Sequence, residues 1–203
     1  MSRHRAGTAV IEKGRKSVDE ILDAASALLA EAGYAELSTR KVATRAGMLP
    51  GNLQYYFPAK RGLVRALLER YLKRSLERLA ARVGGGEPSP EGQLRQIIEG
   101  ILADQSSTLD CAMFREIWAL AVHDPEVAKA LDDFYDEYRA HMGAILRSVN
   151  PRLQKAGSER LATTVIAMLE GLSILRKPAK PDSVPTDDYC FEVILRLTQG
   201  VGG

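Results

Sequence analysis

The chain has 203 residues, 45% hydrophobic and 27% charged, an ordinary globular composition with length enough for a sizeable core. No run is long and apolar enough to span a bilayer, and the basic N-terminus has no apolar stretch behind it, so neither a membrane span nor a secretion signal is expected. Cys111 and Cys190 are isolated, with no CxxC spacing, so neither a disulfide framework nor a zinc site is expected; they fit a reducing cytoplasm.

Net charge is +2 but unevenly spread. Residues 1–74 hold 14 Lys/Arg against 7 Asp/Glu, and residues 75–203 hold 14 against 19. A basic N-terminal third points to a polyanionic partner; plain solvated surface charge is the alternative.

In chain order, residues 1–15 read as a polar, basic, disordered arm. The first helix is SVDEILDAASALLAEAGY, with Ser17 as its cap, Asp19 and Glu20 in its first turn and Gly33 at its end. Ile21, Ala24, Ala25, Leu28 and Leu29 make its apolar face. STRKVATRAGM follows. Ser38 or Thr39 caps a short helix, Val42 and Ala43 point inward, and Arg40, Lys41 and Arg45 point outward. Gly47 supplies the positive φ of a tight turn.

A long helix is expected from about 59 to 82. GGGEPSPEG (84–92) is the clearest linker in the chain; with no preceding strand and no Lys-Ser/Thr after it, it is not a phosphate loop. Further helices are expected over about 94–103, 110–122, 125–149 (opened by the Asp124-Pro125 pair), LATTVIAMLEGLSIL capped by Ser158, and 187–199. No stretch alternates as a strand would. The reading is all-α, with roughly nine helices. A DNA-binding region covers 16–60, with a connecting helix at about 59–82, and a helical domain covers 83–203.

Two short helices joined by a Gly-containing turn form a helix-turn-helix, here Ser38 to Phe57. Its second helix would enter a DNA major groove. Pro50 is tolerated at the first helical position, and Gly51 lets backbone approach DNA. Asn52 and Gln54 carry amides suited to base edges. Tyr55 and Tyr56 can reach phosphates, or simply pack at a helix end. Leu53 and Phe57, at i and i+4, would anchor the helix.

The run STRKVATRAGMLPGNLQYYFPAKRGL resembles the DNA-binding domain of the TetR family of bacterial repressors, and the similarity covers about residues 17–72. The resemblance implies a phosphate contact from Thr39, a base contact from Arg40, and base-facing positions at Pro50, Gly51, Asn52 and Gln54. It implies backbone contacts from Tyr55 and Tyr56 and a phosphate-binding lysine at Lys60. With Ser38 and Lys41, these are the candidate DNA-binding residues. Two positions depart from the family pattern: Leu49 where Ser is common, a poor cap, and Gln54 where Tyr is common.

LATTVIAMLEGLSIL is apolar almost all round, with one stripe of Leu161, Val165, Met168 and Leu172 and another of Thr164, Ala167, Gly171 and Ile174. A helix apolar on two sides needs a second partner. Ala167, Gly171 and Ile174, with Val193, Ile194 and Leu197 on the last helix, are the candidate homodimer interface; the core of a monomer is the alternative. Phe114, Trp118, Tyr138, His141, Met168 and Glu170 are candidate contacts for a small-molecule inducer, with ordinary core packing as the alternative.

The leading expectation is a cytoplasmic bacterial transcriptional repressor. Its dimer would bind a two-fold related site on double-stranded DNA and be released by an inducer. A non-specific or architectural DNA-binding protein is the alternative. No catalytic motif is present and the three histidines are scattered, so no enzyme, cofactor or metal site is expected.

Overall fold

The structure is a computed structural model describing residues 2–83, 89–105, 108–175 and 186–200. Among these residues there are nine α-helices and no strand: α1 (Ser2–Glu36), α2 (Thr39–Arg45), α3 (Pro50–Tyr56), α4 (Lys60–Val83), α5 (Pro90–Asp104), α6 (Thr108–Ala121), α7 (Pro125–Val149), α8 (Lys155–Leu175) and α9 (Thr186–Gly200). The chain forms two compact units. One joins Met1–Tyr71 to Ala112–Val127, and the other joins Leu72–Cys111 to Ala128–Gly203.

The division is not sequential, as an expected domain over 83–203 would require. Most of α6, the turn after it and the first residues of α7 belong with the N-terminal helices, through pairs that no local periodicity announces. Tyr34 N–H donates to Glu116 Oε1 at 3.4 Å. Arg61 grips Asp124 with two bonds of 2.8 and 2.9 Å, and Arg65 pairs with Glu126. Tyr71, Phe114 and Trp118 make a chain of edge-on rings at 5.2 and 6.4 Å.

Helix α1 runs from Ser2, where the sequence predicts a disordered arm over 1–15 and a cap at Ser17. Gly7 and Gly14 are the only strong breakers in that stretch, and each glycine costs a helix only about 1 kcal/mol. The predicted end does hold: Gly33 takes φ 75°, ψ 174°, a region closed to side chains, and breaks the helix there. Four of the five residues of the predicted face are buried (Ile21, Ala24, Ala25, Leu29), and Leu28 is half-buried.

In the second unit, α5 begins at Pro90, inside the predicted linker. Ser89 Oγ accepts from Gly92 N–H at 3.0 Å, so a serine cap and a first-turn proline open the helix. Residues 84–88 of that linker, and Arg176–Pro185, lie outside the described residues.

Ser158 is not a cap. The helix starts earlier, at Lys155, and the fully buried Ser158 hydroxyl donates to Lys155 O at 2.7 Å while accepting from Arg147 at 2.6 Å. Helices α5, α8 and α9 pack together around Leu94, Ile98, Val165, Leu169 and Ile194. Each such side chain contributes about 1.5–3 kcal/mol by leaving water.

Gly33→Ala forces a side chain into a conformation that costs about 1–3 kcal/mol. Urea unfolding should show a midpoint lowered accordingly, whereas Gly14→Ala should leave the midpoint unchanged or raise it.

Candidate functional site

The helix-turn-helix is built from short-range chemistry. Ser38 Oγ accepts from Lys41 N–H at 3.2 Å and caps α2. Val42 and Ala43 are fully buried. Gly47, at φ 66°, turns the chain between α2 and α3. Leu49 stands at the cap of α3 with no side-chain hydrogen bond and is 72% exposed, as the departure from the family pattern predicts. Pro50 fills the first helical position. Leu53 is fully buried, while the expected second anchor, Phe57, is only half-buried.

Around that anchor, Pro50, Gly51, Asn52 and Gln54 are all exposed, and Tyr55 is 82% exposed. Tyr56 is half-buried, its ring edge-on to Tyr55 at 5.2 Å. The helix thus presents two amides and one phenol to solvent from a single surface. That combination matches the donors and acceptors of base edges and phosphates.

The flanking cations differ in how committed they are. Arg40 is exposed, and its guanidinium has no ion-pair partner among the described residues. Lys41 pairs with Glu36, and Arg45 with Glu31 at 2.6 and 2.5 Å. These pairs hold both carboxyls below their ordinary range, chiefly through the hydrogen bonds. Both are exposed and so contribute little to stability; a phosphate can compete for their cations.

Lys60 is held more firmly. Its Nζ donates to Tyr34 O at 2.7 Å and lies 3.8 Å from the centre of the Tyr34 ring. Partial burial lowers its pKa, while the charge of Glu116 acts in the opposite direction. That single bond leaves two of the three ammonium N–H groups for a phosphate. Glu116 was not foreseen: it lies 82 residues from the backbone N–H it accepts from, and no spacing rule connects the two.

The candidate ligand residues do not fall in one unit. Phe114 and Trp118 belong to the first, half-buried in the ring chain with Tyr71. Tyr138, His141, Met168 and Glu170 belong to the second. His141 is half-buried, with Nε2 3.7 Å from Glu137 Oε1. Met168 is half-buried; Tyr138 and Glu170 are buried at 5% and 6% exposure.

Glu170 Oε2 is enclosed and accepts no hydrogen bond from any of the described residues. In the same unit, Asp104 takes two bonds from Arg82, both at 3.0 Å, and one from Arg78 at 2.9 Å. Gly100 makes that possible, because a Cβ there would sit 2.3 Å from Arg82 Nε.

The expected interface stripe of α8 is open in the single chain. Ala167 and Ile174 are exposed, and Gly171 is half-buried with nothing within 4 Å of where a Cβ would stand. On α9, Val193 is half-buried and Leu197 is 38% exposed. Ile194 is fully buried against its own chain, so it is core rather than a contact for a second copy. Ile194 and Thr198, four residues apart on one face of α9, are both fully buried, and Leu197, about 100° round the helix from Thr198, lies at the edge of that face.

Among the described residues no helix is long and apolar enough to cross a membrane, and no group of three or more His, Cys, Asp or Glu could hold a metal ion.

Burial raises the Glu170 carboxyl from its ordinary 4.5 to about 7. Between those values the folded chain holds the extra proton, so this group's contribution is fully present below about pH 4.5 and lost as pH rises through about 7. The total is about 3 kcal/mol. Glu170→Gln should remove that slope. Its urea midpoint should exceed wild type at pH 8, and the two should converge toward pH 5.

Residues 21–67 match the family model for bacterial regulatory proteins of the tetR family, and residues 90–188 match that for the C-terminal part of BetI-type transcriptional repressors. A helix-turn-helix-type transcriptional regulator in the dhlA 5′ region of Xanthobacter autotrophicus is 31% identical over 181 residues, 86% of each chain. The BetI 1 regulator of Chromohalobacter salexigens is 25% identical over 189 residues, 88% of this chain and 91% of its own.

Two solved structures share the fold. A TetR-family regulator from Mesorhizobium loti aligns with TM-score 0.77 at 17% identity, over 92% of this chain and 96% of its own. A regulator from Saccharomonospora viridis, solved in complex with choline, aligns with TM-score 0.76 at 19% identity, over 92% and 97%. With a recognition helix exposed on a capped helix-turn-helix and relatives that are transcriptional regulators, the chain belongs to the TetR family of DNA-binding transcriptional regulators.

Proposed function

We propose that this regulator is a repressor that binds a two-fold related operator as a homodimer and leaves it when a small molecule occupies the second unit. The observation that carries the DNA side is the exposed face of α3. Asn52, Gln54 and Tyr55 stand in solvent around one fully buried leucine, Leu53. In a dimer, two such helices about 34 Å apart would meet successive turns of one groove. The open stripe of Ala167, Gly171 and Ile174, beside exposed Leu197, supports α8 and α9 as the dimer surface.

The fold-related regulator with bound choline supports a ligand site in proteins of this shape. A ligand that prefers one spacing of the two recognition helices shifts the population toward it, and DNA affinity changes by the same coupling energy.

The decisive measurement is a nuclease footprint on the chain's own promoter region. A protected two-fold site is expected, and its absence defeats the specific-repressor reading. Gln54→Ala should relax sequence preference at one position of each half-site, by about 1–3 kcal/mol in discrimination. An unchanged preference would favour non-specific, architectural binding. Lys60→Ala should weaken all sequences alike and reduce the salt slope of log K by about 1, as read by fluorescence anisotropy across a salt series.

A further inference from the structure

Glu170 Oε2 is buried and accepts no hydrogen bond from any described residue. Natural interiors rarely leave such an acceptor empty, and an exception asks for an explanation. The neighbouring cations do not supply one. Arg82 and Arg78 are both bonded to Asp104. Burial alone shapes the Glu170 carboxyl, with no cation acting on it.

The charge of Glu170 reaches Tyr138 on α7, whose hydroxyl is pushed well above its ordinary pKa, first by burial and then by that charge. Tyr135, Arg82 and Asp104 are the other groups acting on that hydroxyl, from α7, α4 and α5. Tyr138 belongs to an aromatic cluster, with Phe134 at 5.7 Å from it and Tyr135 at 5.2 Å from Phe134. A buried carboxyl lacking a donor is a place for an organic cation that carries one.

The geometry points to Glu170 as the anionic anchor for a small organic ammonium or amidinium ligand, one of whose N–H groups donates to Oε2. The missing element is a hydrogen-bond donor, so the ligand class is a cation that carries N–H, as distinct from a quaternary ammonium. This assignment rests on the reading that the second unit takes a small molecule. Occupation requires the carboxylate, so a bound cation expels the proton that the empty site holds near neutral pH.

The test is titration calorimetry on the full chain without DNA, at pH 6, 7 and 8, in two buffers of different ionisation enthalpy. The probes are benzylammonium, spermidine and agmatine, together with the matched pair N,N-dimethylethanolammonium and choline, which differ in one N–H. At least one N–H cation is expected to bind with proton release. Its affinity should rise up to tenfold per pH unit below about 7 and level off above, and should fall at least tenfold in Glu170→Gln.

The assignment is overturned if none of the N–H cations binds, if Glu170→Gln binds them as well as wild type, or if choline equals or exceeds its N–H analogue. Should Glu170→Gln fail to fold, the proton release of the wild-type chain decides alone, and binding without it overturns the assignment. A footprint repeated with the bound amine separates the two readings. Glu170-dependent binding that leaves DNA protection intact sustains the anchor and defeats release by that ligand. Release by a compound indifferent to Glu170→Gln does the reverse.

Discussion

A helix of seven residues cannot hold itself together in water, because the cost of its first turn is never recovered over so short a length. The proposed DNA-facing surface of this protein is such a helix, α3. Its existence depends on burying Leu53 completely, beside the fully buried Val42 and Ala43 of α2. Everything exposed on α3 is therefore exposed by subtraction: one position goes inward, and Asn52, Gln54 and Tyr55 remain. Leu49 contributes no cap, so the start of the helix leans on Pro50 and on the packing of α2 against α3.

Much of the fold was legible in the sequence, because most helix ends are marked by side-chain chemistry that acts within four residues. Ser38, Gly33, Gly47 and the Asp124-Pro125 pair each do in the structure what their types dictate. The failures have a common cause. Ser158 has the chemistry of a cap, but its hydroxyl is taken by Arg147, 11 residues earlier. Ser89-Pro90 opens a helix, yet glycines and prolines around it read as loop. Residues 2–15 are polar but contain little that forbids a helix, and polarity is not a breaker.

The candidate site divides the same way. The exposed face of α3 follows from period and turn chemistry. The ties that join the end of α6 to α1 and α4 connect residues 61 to 82 positions apart, and charge type alone cannot choose among so many partners. The expected interface shows both outcomes within one helix: Ile194 is fully buried and Leu197 is partly exposed at the edge of the same face, and where that edge falls depends on where α5 and α8 lie. Polar ties fix the register of the second unit, with Asn150 donating to Thr198 O at 2.8 Å and Arg95 lying 4.0 Å over the Phe191 ring.

The tether of Lys60 to Tyr34 has a thermodynamic consequence. A free lysine gives up about 2 kcal/mol of rotamer entropy when it is fixed on a ligand. Lys60 has already lost that freedom in folding, held by one carbonyl and one ring. Arg40, exposed and without an ion-pair partner among the described residues, keeps its freedom in the folded chain. Under the proposed DNA contacts the two cations would divide the labour in time: the mobile one would attract the polyanion from a distance, and the preorganised one would slow its departure.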